Sequence, residues 1–164
     1  WSADVCSSDL AAHSIPLNMI ESQVGATKNP DLFKVISGNP RQIFEQSDML
    51  IAASGTITLE AALCRIPTVI VYKVSPVTFQ VGRAVVQVKH AGLANIILNK
   101  EVMPELLQGA ATPETICNTA CVMLTHLDEF RQKLLPVRRL LGKPGAAARA
   151  AEIALALQCR GKNR

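Results

Sequence analysis

The run Pro67–Lys73 (PTVIVYK) is the feature that most restricts how this chain can fold. Its β-branched residues are typical of a central strand in a parallel sheet that is buried on both faces. Met49–Ala53 (MLIAA) and Phe33–Ser37 (FKVIS) are predicted to be two further strands. Short helices predicted at Arg41–Gln46 and Thr58–Cys64 alternate with these strands. This order predicts an α/β fold, in which a parallel sheet is flanked by helices and joined by right-handed crossovers.

The second half of the chain is predicted to be mainly helical. Thr78–Val88 is predicted to be a helix, and Leu93–Leu98 an extended stretch or short strand. Ala11–Val24 has a weak helical pattern. Three helices form the predicted C-terminal tail, at Glu114–His126, Leu127–Leu141 and Ala146–Leu157. Hydrophobic residues make up 49% of the chain and aromatic residues only 4%, so we expect an aliphatic core.

The chain divides into three parts. Residues 1–9 show no periodicity, and the string ADVCSSDL resembles the translation of a sequencing-adapter sequence. We therefore expect residues 1–9 to be non-native, a natural disordered terminus being the alternative. Residues 10–112 contain the predicted strands, and residues 113–164 contain the C-terminal helices.

The net charge of +4 is concentrated near the C-terminus. From Leu127 onward there are nine lysines and arginines against three acids. We expect a solvated helix face, with attraction to phosphates or to an anionic membrane surface as the alternative. No nucleic-acid partner is expected, because no aromatic residues interleave these charges. The chain has neither an apolar run of roughly 20 residues nor a signal-like start, so we expect a cytosolic protein.

The five cysteines are an odd number and show no CxxC spacing, which argues against disulfides. Cys117 and Cys121 lie four residues apart, near His126, so a metal site is one interpretation. We expect buried free thiols instead, and no bound metal.

The segment from Ser54 to Glu60 carries the clearest functional signal. A buried strand ends, a Ser-Gly-Thr turn follows, and a helix begins there, so unpaired backbone N–H groups and a positive helix dipole meet. Gly55 allows a ligand to approach the backbone, and the hydroxyls of Ser54, Thr56 or Thr58 can cap the helix or donate to phosphate. The turn therefore predicts an anion site suited to a diphosphate.

Glu60 extends this prediction from an anion to a nucleotide. A carboxylate one turn beyond a phosphate site can accept hydrogen bonds from a ribose diol. The alternative is a purely structural role, because an acid near a helix N-terminus is favourable in itself. Neither a P-loop nor a dinucleotide-binding glycine pattern is present.

Three strings resemble the lipid-A-disaccharide synthase family, in order along the chain. The first is SDMLIAASGTITLEAALCRIPTVIVYKVSPVTF, which is similar to the family's core signature. VKHAGLANIILNKEVMPELLQGAATPETI and LGKPGAAARAAEIAL follow, and the matches cover roughly Asn39–Leu157. The resemblance implies a GT-B glycosyltransferase fold. In that fold residues 10–112 would belong to the Rossmann-like nucleotide-sugar-binding domain, truncated on its N-terminal side.

The resemblance also implies an activity. Family members transfer diacylglucosamine from UDP-2,3-diacylglucosamine to 2,3-diacylglucosamine 1-phosphate with inversion, forming the lipid A disaccharide 1-phosphate and UDP. They need no metal or cofactor and work in the cytoplasm, peripherally associated with the inner membrane. We expect the same substrates and membrane surface here, with a second copy of the chain as a further candidate partner.

The resemblance assigns candidate roles to individual residues. The UDP-sugar site would comprise Ser54, Gly55, Thr56, Thr58, Glu60, Tyr72, Lys73 and Asn95. Asn95 would lie by the sugar or diphosphate, or else bond its own backbone as a loop residue. Lys73 would neutralise phosphate, or else be a surface lysine. His90 is a weak candidate for a catalytic group, and the catalytic base stays unknown, expected in an N-terminal half that this chain lacks.

Two alternatives remain open. One is another UDP-sugar enzyme, such as a peptidoglycan-precursor glucosaminyltransferase or a UDP-sugar epimerase. The other is a non-catalytic α/β binding module whose Ser-Gly-Thr turn only caps a helix. We expect the fragment to be inactive alone and marginally stable, with an unpaired strand edge at MLIAA or FKVIS.

Overall fold

The computed structural model describes residues 7–11, 16–37, 40–75 and 89–161. The strands are β1 (Ser7–Ala11), β2 (Phe33–Ser37), β3 (Leu50–Ala53), β4 (Thr68–Tyr72) and β5 (Glu105–Leu107). The helices are α1 (Leu17–Gly25), α2 (Pro40–Gln46), α3 (Thr56–Leu63), α4 (Leu93–Leu98), α5 (Pro113–Thr125), α6 (Leu127–Leu141) and α7 (Ala146–Gly161). Single 3₁₀ turns lie at Pro30–Leu32 and Gln108–Ala110.

All strand pairs in the described part of the chain are parallel, as an α/β fold requires. β3, β4 and β5 form a three-stranded sheet with β4 in the middle, where Ile70 lies opposite Ala52 on one side and Glu105 on the other. β2 does not extend this sheet but pairs with β1, Phe33 lying opposite Ser7. Residues 7–9 therefore belong to a strand, and whether residues 1–9 are non-native stays a prediction.

One predicted strand is a helix. Leu93–Leu98, predicted to be extended, forms α4, which begins after Gly92 and ends at the left-handed Asn99. Its Ala94 and Asn95 are completely buried. The third strand of the sheet is instead the three-residue β5, which was not predicted. The predicted helix at Thr78–Val88 lies outside the described residues, whereas the three predicted C-terminal helices are confirmed within a few residues.

β4 lies at the centre of the core and is covered on both faces. Ile70 packs in a cluster that joins the sheet to α3, α4 and α6, with the buried residues Ala62, Ala94, Val102, Met103, Leu134 and Val137. Val69 points to the opposite face, where it packs with Leu106 of β5 and Met123 of α5. The core is aliphatic at both faces, as the composition predicted.

The C-terminal helices differ in how they are packed. α5 and α6 contribute Met123, Leu134 and Val137 to the two clusters around β4, so they share a core with the strands. In α7, by contrast, every described side chain from Ala146 to Ala156 is exposed. α5 and α6, which follow residue 112, pack directly on the sheet, which precedes it. The packing therefore does not separate two parts at residue 112, and the predicted division there stays a prediction.

β3 forms an edge of the three-stranded sheet. Within the described ranges it pairs only with β4, and Ile51 is 56% exposed. An unpaired edge at MLIAA was expected, and the structure has one. No helix in the described part of the chain is long and apolar enough to cross a membrane.

Cys64, Cys117 and Cys121 are free thiols, as predicted. The predicted burial of the Cys117–Cys121 pair is wrong for Cys117, which is exposed, while Cys121 is half-buried; Cys64 is also exposed. Partial burial and the neighbouring Cys117 thiol raise the pKa of Cys121 above its usual value. A raised pKa disfavours the Cys121 thiolate, which is the form that binds metals and acts as a nucleophile.

Candidate functional site

The carboxyl ends of β3, β4 and β5 meet at one edge of the sheet, because the three strands are parallel. Ser54 and Gly55 follow β3, Lys73 follows β4, and Gln108 follows β5. Open α/β sheets bind ligands at this edge. The structure therefore brings the Ser-Gly-Thr turn and the Tyr72–Lys73 pair, which are far apart in sequence, to the same side of the sheet.

The N-terminus of α3 is open to solvent. Gly55 is its N-cap residue, in an extended conformation, and no side chain caps the helix. Gly55 and Thr56 are exposed, and a Cβ placed on Gly55 would meet no protein atom within 4 Å. The Thr58 N–H donates to the Gly55 carbonyl over 3.2 Å, whereas the two preceding N–H groups of α3 lack intrahelical acceptors and are oriented toward an anion at this end.

Thr58 has a structural role in this turn. Its side chain is completely buried, and its hydroxyl donates to the Gly55 carbonyl over 2.7 Å. A buried hydroxyl that is already paired cannot reach a ligand at the surface. Thr58 therefore holds the Gly55 backbone in place, and among the predicted hydroxyl donors Thr56 is the exposed one.

Ser54 connects the turn to the segment before α4. Its Oγ donates to the carbonyl of Ala91 over 2.8 Å and is half-buried. The hydroxyl oxygen keeps its lone pairs, so it can still accept a hydrogen bond but has no proton left for phosphate. Ser54 thus fixes the turn against Ala91.

Glu60 is the exposed acid of α3. Thr56 and Glu60 are four residues apart, which places both on one face of the helix. The Glu60 carboxylate makes no ion pair or hydrogen bond with any residue that the structure describes. It is therefore available to accept hydrogen bonds from a ligand held at Thr56.

Tyr72 and Lys73 lie at the exposed end of β4. The Tyr72 side chain is 42% exposed, and Lys73 forms no ion pair with the described residues. An ammonium group at the edge where an anion would bind adds a favourable point charge.

Asn95 has no hydrogen-bonding capacity left for a ligand. Its Oδ1 accepts from the backbone N–H groups of Val102 and Met103, at 2.8 and 2.9 Å. Its Nδ2 donates to the Met103 carbonyl and to Glu105 Oε1, both at 2.7 Å. Since Asn95 is also completely buried, it organises the protein rather than contacting sugar or diphosphate directly.

Glu105 is a site residue that the sequence reasoning missed. Its side chain is only 7% exposed, and its carboxylate accepts from the backbone N–H groups of Ala91 and Gly92 at 2.8 and 2.9 Å. His90 Nδ1 lies 4.0 Å from Glu105 Oε1, so His90 borders this buried carboxylate. The sequence signal that could have identified Glu105 is its position as an acidic residue directly before the apolar pair of leucines in the string PELLQ.

Gln108 was also missed. It follows β5 with a left-handed backbone (φ 51°), and its Oε1 accepts from the Val74 N–H over 3.4 Å. Its buried Nε2 has no hydrogen-bond partner among the described residues. Gln108 thus joins the ends of β4 and β5 at the edge where Lys73 lies.

A family model described as lipid-A-disaccharide synthetase matches residues 12–154. The chain belongs to this family. It is similar to the lipid-A-disaccharide synthase of Syntrophus aciditrophicus, with 38% identity over 149 residues that cover 89% of this chain and 39% of the relative. The Sulfurihydrogenibium enzyme of the same name is 37% identical over 91% of this chain and 38% of its own length.

A further lipid-A-disaccharide synthase, from Colwellia psychrerythraea, is 48% identical over 88 residues, which cover 53% of this chain and 22% of the relative. The chain thus spans about two fifths of the length of the first two relatives. The family match begins at residue 12, after β1, and includes every predicted site residue.

Proposed function

We propose that this chain supplies the UDP-binding part of a lipid-A-disaccharide synthase. The parent enzyme would transfer diacylglucosamine from UDP-2,3-diacylglucosamine to 2,3-diacylglucosamine 1-phosphate and release UDP. Family membership supports the activity. The observation that carries the site is the uncapped, exposed N-terminus of α3, which lies at the carboxyl edge of three parallel strands beside an unpaired Glu60.

In this proposal the diphosphate binds at Gly55 and Thr56, where the backbone N–H groups of α3 and the Thr56 hydroxyl donate to its oxygens. Glu60, one turn along the same face, accepts from the ribose hydroxyls. Lys73 offsets negative charge from the next strand. As the glycosidic bond to UDP breaks, negative charge grows on the diphosphate, and preorganised donors stabilise that charge.

The site described here contains donors for the leaving UDP and no assigned base. Inverting transfer also needs a group that deprotonates the acceptor hydroxyl. We assign none of the eight predicted site residues to that role. Catalysis would then depend on residues outside this set.

UDP binding to the full chain, measured by calorimetry, tests the proposal. We expect UDP to bind and ADP not to bind. Glu60→Gln keeps the shape of the side chain and removes its charge, so it should weaken UDP binding about tenfold to a hundredfold, the range for a hydrogen bond to a charged group.

Glu152→Gln is the matched control, because it removes the same charge from an exposed position on α7. It should leave UDP affinity unchanged. Equal binding of UDP and ADP, or equal losses in the two variants, would contradict a uridine-nucleotide site. If the folded protein binds neither UDP nor ADP, the result would favour the non-catalytic binding module.

We also propose that the protein works at the cytoplasmic face of the inner membrane. Exposed cations at the end of α6 and the start of α7 support this, namely Arg138, Arg139, Lys143 and Arg149. Each cation near an anionic surface contributes about 1 kcal/mol.

Sedimentation with phosphatidylglycerol vesicles should capture the protein, and phosphatidylcholine vesicles should not. Replacing Arg138 and Arg139 by glutamine should weaken capture about fivefold per charge. Capture that is insensitive to lipid charge would contradict an electrostatic membrane contact.

A further inference from the structure

We propose that Glu105 is a positioning residue that sets the geometry of the nucleotide-binding turn through Ala91 and Ser54. Its effect on UDP rests on the function proposed above, whereas its effect on the backbone does not. Neither the sequence pattern nor the family match assigns Glu105 such a role. Hydrogen bonds join β5, the segment before α4 and the turn after β3.

The Glu105 carboxylate is buried and satisfied entirely by N–H donors. Oε2 accepts from the Ala91 N–H at 2.8 Å, and Oε1 accepts from the Gly92 N–H at 2.9 Å and from Asn95 Nδ2 at 2.7 Å. A buried carboxylate is costly unless it is paired in this way, and hydrogen bonds to it are stronger than those between neutral groups. Glu105 therefore fixes two consecutive peptide groups.

Ala91 transmits this constraint to the turn. Its N–H donates to Glu105, and its carbonyl accepts from Ser54 Oγ at 2.8 Å. A chain of hydrogen bonds thus runs from Glu105 through the Ala91 backbone to Ser54, the residue that precedes the N-cap of α3. Movement of Ala91 would remove the acceptor that fixes the Ser54 hydroxyl.

The fit around Gly92 keeps this segment close to the sheet. A Cβ placed on Gly92 would overlap Ile70 Cδ1 and would lie 3.3 Å from Glu105 Oε1. The Gly92 backbone therefore packs against the Ile70 side chain of the central strand β4, and a larger residue at position 92 would require that side chain to move. Ile70 on one side and Glu105 on the other thus restrict the position of this segment.

Asn95 holds the opposite end of the same arrangement. Its amide pairs with the backbone of Val102 and Met103, three and two residues before Glu105, and with the Glu105 carboxylate itself. α4 and the start of β5 are thereby joined into one unit. A binding site held by such supporting contacts is preorganised, so less ordering is needed when a ligand binds.

Glu105→Gln tests the proposal in the full chain. The amide has the same shape but replaces one acceptor oxygen by a donor, so Ala91 or Gly92 loses its partner. We expect hydrogen exchange of these two backbone amides to accelerate about tenfold to a hundredfold, and UDP affinity to fall about tenfold. Glu101→Gln, an exposed acid four residues earlier, is the matched control and should change neither.

A double-mutant cycle with Ser54→Ala separates positioning from general destabilisation. If Glu105 acts through Ser54, the losses in UDP affinity should not add, and the double variant should bind about as weakly as the weaker single variant. Additive losses would overturn the proposal. Unchanged exchange at Ala91 and Gly92 in folded Glu105→Gln would also overturn it.

Two further results keep the proposal distinct from the proposed function. If the wild-type chain does not bind UDP, the proposed function is rejected. The positioning role of Glu105 is then tested by hydrogen exchange of the Ala91 and Gly92 amides alone. If Glu105→Gln does not fold, Ser54→Ala is the second variant, since it removes only the far end of the hydrogen-bonded chain. It should accelerate exchange at Ala91 severalfold, and no acceleration there would contradict the coupling.

Discussion

At the residue scale, three described residues other than glycine have a left-handed backbone: Arg65 (φ 60°), Asn99 (φ 48°) and Gln108 (φ 51°). Arg65 and Asn99 each follow a short helix, where a residue in this conformation lets later N–H groups return to the last carbonyls. Asparagine tolerates the conformation, whereas a long side chain such as that of Arg65 costs about 1–2 kcal/mol. α3, which begins at the Ser-Gly-Thr turn, therefore ends on a strained residue.

Arg65→Gly should stabilise the protein by about 0.5–1 kcal/mol. Glycine removes the backbone strain at position 65. Part of this stabilisation is lost, because glycine also raises the backbone entropy of the unfolded chain. Urea unfolding followed by circular dichroism measures the change in the free energy of unfolding. Asn99→Gly is the control and should raise the free energy of unfolding by a smaller amount. Equal effects of the two substitutions would contradict backbone strain at Arg65.

The site could be predicted from sequence only where neighbours in the chain define it. Gly55, Thr56 and Glu60 follow from one strand, one turn and one helix, and the structure leaves all three exposed. Asn95 and Glu105 could not be assigned in this way. Their partners are backbone groups of the segments before α4 and before β5, which only the folded chain brings together.

At the element scale, long or strongly patterned segments were predicted well. β4 is buried and β-branched, and α5 to α7 have helical periodicity, so both types of element follow from the sequence. The prediction held for α6 although Pro136 lies inside it. Its ring removes one helical hydrogen bond, but the buried Leu134 and Val137 on either side keep the helix on the sheet.

Short elements were predicted poorly. Leu93–Leu98 has only six residues and is almost wholly apolar, so it shows neither a period of two nor a period of 3.6. The hydrogen bonds of Asn95 and the burial of Ala94 stabilise this segment as a helix. β5 has only three residues, too few for any alternation, and it is a strand because it pairs with β4.

At the scale of the whole molecule, α6 joins the C-terminal helices to the sheet that carries the candidate site. Leu134 and Val137 pack with Ile70 of β4 and Ala62 of α3 in a single cluster. α7 contributes no described side chain to this core. The sheet, α5 and α6 should therefore unfold together, and α7 should contribute little to that transition.

Leu134→Ala should lower the free energy of unfolding by about 2–5 kcal/mol, because it leaves a cavity between α6 and the sheet. Leu155→Ala on α7 removes the same group from a side chain that is 61% exposed, so its effect should stay within about 0.5 kcal/mol. Thermal unfolding of both variants measures the difference. A small loss for Leu134→Ala would contradict a core shared between α6 and the strands.

The hydrogen bond between Ser54 and Ala91 has a consequence for how the chain assembles. It joins residues 37 positions apart, whereas Asn95 and Glu105 are only 10 apart. Closing the longer loop costs about 1 kcal/mol more in chain entropy. Chain entropy therefore favours early folding of the α4–β5 unit. The hydrogen bond that fixes the turn after β3 to this unit is favoured to form later. We therefore expect the part of the protein proposed to hold UDP to become competent for binding after its supporting unit has formed.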